Sequence, residues 1–411
     1  MNKKIYIWLI ALSLLSMTFL HYFQNAFFHD SFGYLKTAQY ILGQGAFSST
    51  RINLYPLIIA PFANNLFLLY LFIFLINFLS FWYLYKIVEF FKPKNDFYFF
   101  LLIIPSYVTL VLTSILQEPV AFLLITMAIY YLLKRRFVLS ILLISISAFV
   151  RPAMFAMLPG FFLGVLYYEH IFYLIDKRYF FKSMYSSIKL KYKQIIKSGL
   201  IYCALFVAVF LLYYFGMSFI FPDPLISFKS LSTHWLIDWK FIVGYPVFWF
   251  SLFGVAFAPF VFYSYYALYK MDKRYFYLFF FLIFFYVLLV WYQANIRYVI
   301  FLIIPICIGF SQISFKHWNK LMKIFLALLI IVSILYPFGM FVYYFNFKKS
   351  VRVIDLSYKP FIFFDSEYKL NQYNYLCNIN AKNSDEKDKL LLNNFIKSIL
   401  PQLKYYGVCD G

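Results

Sequence analysis

Asp30 is the first acid in the chain and stands in His29-Asp30-Ser31-Phe32-Gly33-Tyr34, just ahead of a stretch with helical spacing. Glu118 stands in Gln117-Glu118-Pro119, with proline where a helix prefers to begin. The dipole and free N–H groups of a helix start favour a carboxylate, which accounts for both acids as caps. The same position suits a general base that takes a proton from an attacking hydroxyl. Arg151 precedes Pro152, Arg297 opens Arg297-Tyr298-Val299-Ile300, and Lys229 falls between two apolar runs. A guanidinium offers a two-pronged fork to phosphate; beside apolar sequence its competing role is snorkelling to headgroups. His29, Tyr34 and Tyr55 complete the set as candidate substrate contacts, with packing as the competing role for each tyrosine.

Other chemistries have no foothold. The chain has no HExxH, no CxxC, no G-x-S-x-G elbow and no phosphate-binding Gly-Lys-Ser/Thr loop. No metal-ligating spacing is present, so no residue is assigned to a metal.

The elements that must hold these residues are membrane helices. In 411 residues, 64% are hydrophobic and only 13% charged, with 57 Phe and 40 Tyr. Soluble chains run near 45–50% apolar and about 25% charged, so a soluble enzyme, a disordered chain and a disulfide scaffold are excluded. A spanning helix needs about 20 mostly apolar residues. Eleven segments qualify: about 5–23, 66–85, 97–115, 119–133, 137–150, 153–168, 199–221, 244–268, 275–292, 299–315 and 324–345. The fifth and sixth are short, and 137–168 would also read as one long helix broken at Arg151-Pro152.

Charge decides between these readings. With eleven spans and the N-terminus inside, the inner loops hold 21 of the 37 Lys and Arg, the outer loops 6, and the tail from Lys348 on holds 10. Every inner loop is then basic, as the positive-inside rule requires. With one span fewer, the seven cations of 177–197 would face outward. The net charge of +21 therefore marks membrane orientation, and nucleic acid is not expected as a partner. The first apolar segment lacks a small-residue cleavage site and reads as a retained helix. Asp176–Lys197 carries Phe180, Phe181, Met184 and Ile188 at helical spacing among lysines, the pattern of an interfacial helix on anionic lipid, or of a solvated basic loop.

On this topology the first outer loop, about 24–65, is the longest, and only Asp30, Glu118, Asp223 and Asp238 are acids of the outer loops. Ser31–Leu42 is expected as a helix lying flat on the outer surface through Phe32, Leu35, Ala38 and Ile41. Residues 1–345 form the membrane domain and 346–411 a small outer α/β tail, with short strands at Val351–Leu356 and Pro360–Phe364 and a helix starting at Ser384. Cys203 and Cys307 fall in spans. Cys377 and Cys409, 32 positions apart in the tail, are expected to pair outside the cell; such a bridge contributes about 3–4 kcal/mol.

The order of these features resembles the GT-C fold membrane glycosyltransferases. The residues are Asp30-Ser31-Phe32-Gly33-Tyr34 through Ala38, Tyr55-Pro56-Leu57, Gln117-Glu118-Pro119, Arg151-Pro152 with Pro159, and Arg297-Tyr298 with Pro305. Over about residues 1–310 the chain is similar to the bacterial relatives of protein O-mannosyltransferases and of the lipid A aminoarabinose transferase. The resemblance implies a polyprenyl-phosphate-linked sugar as donor, transfer at the outer face of a bacterial inner membrane, and a cell-envelope lipid, glycan or protein as acceptor. It carries the first-loop acid onto Asp30 and the second-loop acid onto Glu118. His29-Asp30-Ser31 stands where some relatives have paired acids, which leaves a divalent metal at the first loop open.

The residues fit that chemistry: Asp30 as base, Arg297 with Arg151 and Lys229 stabilising the leaving phosphate, and a dry cavity limiting hydrolysis of the donor. Two other readings stay open. An O-antigen-type polymerase or ligase has a comparable span count but a large late loop rich in Arg and His, whereas 222–243 holds only Lys229, Lys240 and His234. A lipid or solute transporter would place ionisable groups near the midplane in repeated halves.

Overall fold

The computed structural model describes residues 3–24, 26–44, 52–95, 112–176, 179–226, 258–290, 300–314, 324 and 352–354. They are mostly helical. In chain order the elements are α1 (Lys3–Gln24), β1 (Ala26–Phe28), α2 (His29–Ile41), α3 (Leu54–Ile59) and α4 (Leu66–Phe90). Then come α5 (Glu118–Leu133), α6 (Phe137–Val150), α7 (Leu158–Leu166) and α8 (Phe180–Ser218). The last are α9 (Ala258–Met271), α10 (Lys273–Val290), α11 (Ile303–Ser311) and β2 (Arg352–Ile354).

Among the described residues, three helical stretches are long and apolar enough to cross a membrane: Leu66–Phe90, Pro152–Leu174 and Phe180–Ser218. Shorter apolar helices lie at Ile7–Phe19, Glu118–Leu133, Phe137–Val150 and Ile300–Ser311. The chain is a membrane protein. Most of the spans expected at 97–115, 244–268 and 324–345 lies outside the described residues.

Local sequence dictates the turns. α5 ends with Arg135 in the left-handed region at φ 58°. Arg135 N–H bonds the Leu132 carbonyl at 2.9 Å and Arg136 N–H the Tyr131 carbonyl at 2.8 Å, closing the helix with the paired bonds of a Schellman motif. Glycine is the usual residue there; here the guanidinium of Arg135 stacks 4.2 Å from the Tyr173 ring centroid and donates to its hydroxyl. At the other end, Arg151 is extended (φ −132°, ψ 104°), as a residue before proline prefers, and Pro152 opens a 3-10 turn. Phe137, at the start of α6, meets Tyr168, near the end of the next helical stretch, at 6.4 Å between ring centroids. The chain therefore folds back at Arg151-Pro152, and 137–168 is a hairpin, not one broken helix.

These hairpins sort the bundle into two ends. One collects Lys134 over Phe90, Arg135 on Tyr173, and the Asp272–Arg274 pair at 2.8 Å beneath Phe172. The other collects the start of α5, the end of α6, α3 and the start of α11.

Close helix contact depends on glycine. Gly160 and Gly164 lie one turn apart on α7 and face α10; a Cβ at Gly160 would overlap the Phe281 carbonyl oxygen. Small residues at this spacing let backbones approach in a membrane, where packing and not water exclusion drives association. Gly160→Ala should push α10 away at a cost of about 1–3 kcal/mol, read as a lower unfolding temperature in detergent; an unchanged temperature would contradict this packing.

Two expectations need correction. The basic stretch of 176–197 and the span after it are not separate: α8 is one helix of 39 residues, about 58 Å long at 1.5 Å per residue. One continuous helix cannot lie in the interface with its first half and cross upright with its second. Among the described residues, α8 is tied to the bundle through the π-turn Tyr167–Ile171, where His170 Nε2 lies 2.9 Å from Ser198 Oγ and Tyr202 donates to Glu169. Second, α2 does not simply rest on the outer surface. It begins at His29, which puts Asp30 in its first turn and not at the cap. It buries Ser31, Tyr34, Leu35, Thr37, Ala38 and Gln39, because its small and aromatic residues pack into the protein.

β1 pairs in parallel with β2, with Ala26 opposite Arg352 and Phe28 opposite Ile354. The stretch after the last expected span thus lies beside the entry to the first loop. The remainder of the tail, with Pro360–Phe364, Ser384, Cys377 and Cys409, lies outside the described residues.

Candidate functional site

Glu118 opens α5 with Pro119 behind it. Gln117 provides no side-chain cap; its amide oxygen instead accepts from Asn53 Nδ2 at 2.9 Å. Asn53 caps α3 through Oδ1, which accepts from Tyr55 N–H at 3.0 Å. One asparagine thus links the end of the first loop to the residue before Glu118 and fixes the height of Tyr55 against α5.

Glu118 pairs with Arg151 across the hairpin. Oε1 lies 3.2 Å from Nη2, and the side chains are 0% and 1% exposed. Arg151 Nη1 donates to the Tyr286 hydroxyl at 3.1 Å, and Phe301 lies 5.5 Å from the guanidinium carbon. Tyr286 and Phe301 pack edge to face at 5.6 Å. The guanidinium is held from α5, α10 and the 3-10 turn Ile300–Leu302, while its own backbone is bonded to Ser147 and Met154. Removing two charges from water is expensive, and the mutual attraction of a buried pair often does no more than offset that cost. Such a pair is poor evidence of stability and a good marker of a site that needs a cation and a carboxylate in a dry place.

Tyr55 packs edge to face on Tyr34 at 5.0 Å. Both rings are fully buried. Burial first, then Tyr34, Glu118 and Tyr70, pushes the Tyr55 phenol well above its usual value, so it remains a neutral donor.

The structure therefore brings Glu118, Arg151, Tyr34 and Tyr55 to one end of the bundle, away from the basic turns. Asp30 and His29 occupy the first turn of α2, one turn before Tyr34; their side chains lie outside the described residues, as do Arg297 and Lys229. Sequence reasoning missed three participants. Asn53 and Gln117 were visible only as neighbours of motif residues, and Tyr286 lies 135 positions from Arg151, one of 40 tyrosines with no local mark. Among the described residues, no group of three or more His, Cys, Asp or Glu side chains converges on a metal-sized site.

No protein-family model matches the chain, and no curated protein or solved structure matches it.

Proposed function

We propose that the chain is a glycosyltransferase that moves a sugar from a polyprenyl-phosphate-linked donor to an acceptor hydroxyl at the outer face of the membrane. The observation that carries this reading is the fully buried Glu118–Arg151 pair at the end of the bundle opposite the basic turns. A lipid-borne anion reaching that level meets a guanidinium in a low-dielectric setting, where a charge-assisted contact is worth far more than in water. The donor phosphate exchanges with Glu118 as the partner of Arg151, and Arg297 and Lys229 supply the remaining positive charge.

In the reaction the acceptor oxygen attacks the anomeric carbon. Its proton passes to the Asp30 carboxylate, a new glycosidic C–O bond forms, and the bond to the phosphate oxygen breaks. Polyprenyl phosphate leaves with the electron pair, stabilised by the cations. Glu118, released from Arg151, orients the acceptor hydroxyl. The eleven-span topology with the N-terminus inside belongs to this reading, and the pairing of β2 with β1 supports an outer C-terminus.

Arg151→Lys tests the phosphate assignment, since it keeps the charge and loses the fork. The full chain in nanodiscs should fold and bind farnesyl phosphate at least tenfold more weakly, about 1.4 kcal/mol. Wild-type affinity in this variant would remove Arg151 from the phosphate site.

A further inference from the structure

Among the described residues, three buried hydroxyls have no hydrogen-bond partner: Ser145 Oγ inside α6, and Ser31 Oγ and Tyr55 Oη on the two elements of the first loop that meet beside Glu118. Hydroxyls in apolar helices normally bond back to a carbonyl one turn earlier. Thr18, Thr37, Ser80, Thr126 and Ser147 all do so. Ser31 is the third residue of α2, and the residues one turn before it belong to β1, so no helical carbonyl lies behind it. Other tyrosine hydroxyls are also engaged. Tyr213 bonds the Pro224 carbonyl, Tyr167 the Arg274 carbonyl, and Tyr286 accepts from Arg151. A buried hydroxyl left without a partner is costly, and each such group calls for an explanation.

The two first-loop orphans stand on facing elements. Ser31 lies one turn before Tyr34 on the buried side of α2, and the Tyr34 ring packs on Tyr55 of α3. Glu118 lies within electrostatic reach of the Tyr55 hydroxyl. A lipid tail would use no hydroxyl, and a phosphate would want cations. A ring bearing several hydroxyls matches two groups that each donate and accept, set beside aromatic rings and a carboxylate.

We infer that Ser31 and Tyr55 form a subsite that reads the hydroxyls of the transferred sugar, an inference that rests on the glycosyl-transfer reading. Both residues are then specificity determinants that touch the donor and take no part in proton transfer.

The test compares farnesyl phosphate with a panel of farnesyl-phosphate hexoses, titrated onto the full chain in lipid nanodiscs. Ser31→Ala and Tyr55→Phe remove only the hydroxyls. Wild type should bind one or more hexose conjugates more tightly than farnesyl phosphate. Each variant should lose about fivefold to tenfold of that preference, with unchanged affinity for farnesyl phosphate and an unfolding temperature equal to or above wild type. A purely structural role would not weaken hexose binding selectively. If wild type prefers a conjugate and both variants keep the full preference, the subsite is wrong and the glycosyl-transfer reading stands. If wild type binds conjugates and farnesyl phosphate equally, the hydroxyls do not read sugar. If it binds neither, the reading falls and the inference with it.

Discussion

Asp30→Asn should yield a well-folded protein that transfers almost no sugar. Asp30 is the second residue of α2, so its charge adds about 0.3–1 kcal/mol through the helix dipole. Asparagine there keeps the shape and polarity and gives up only that term. A general base contributes about 10²–10⁴ in rate. A purely helix-dipole role therefore predicts near-normal turnover with a slightly lower unfolding temperature, and a catalytic role predicts loss of turnover by at least two orders of magnitude. Donor turnover and thermal unfolding on the same preparation separate the two. Turnover within twofold of wild type would move the base elsewhere.

Breaking the buried pair should have the largest effect on stability. Glu118→Ala leaves the Arg151 guanidinium without its carboxylate at a position 1% exposed. Removing one partner of a buried pair costs about 3–5 kcal/mol, whereas replacing both by apolar groups of similar volume is near neutral. Glu118→Ala should therefore accumulate poorly or unfold at much lower temperature, while the double variant Glu118→Leu with Arg151→Met should recover wild-type stability. The double variant should still be inactive, because neither the proposed phosphate fork nor the proposed acceptor-orienting carboxylate remains. A double variant that is stable and active would make the pair a packing feature only.

Much of the frame was legible because it rests on local rules. Pro119, Pro152 and the basic turn Lys134-Arg135-Arg136 each dictate a boundary, and the fold-back at Arg151 follows from the residue before a proline. Charge placement alone distinguishes the end that carries the basic turns. What could not be read depends on distance in sequence or on continuity. Nothing marks Tyr286 as the partner of Arg151, and Asn53 reveals its bond to Gln117 only once α3 lies against α5. The join inside α8 misled because lysine-rich and apolar halves look like two elements, while Ser198-Gly199 has too little helix-breaking strength to part them. The surface reading of α2 failed for a related reason. Ser31 and Tyr34 fall outside the apolar face expected of that helix, yet both are buried.

Outer-face sugar transfer from a polyprenyl-phosphate donor is the activity proposed for this chain. Its most direct measurement is donor turnover by the purified full chain in proteoliposomes of known orientation, carrying a panel of radiolabelled polyprenyl-phosphate hexoses and an extract of cell-envelope lipids and glycans as acceptor. Label should move from at least one donor to acceptor, with polyprenyl phosphate accumulating, only where the Glu118–Arg151 end faces the acceptor. Intact donors throughout the panel, or transfer only from the side of the basic turns, would contradict it.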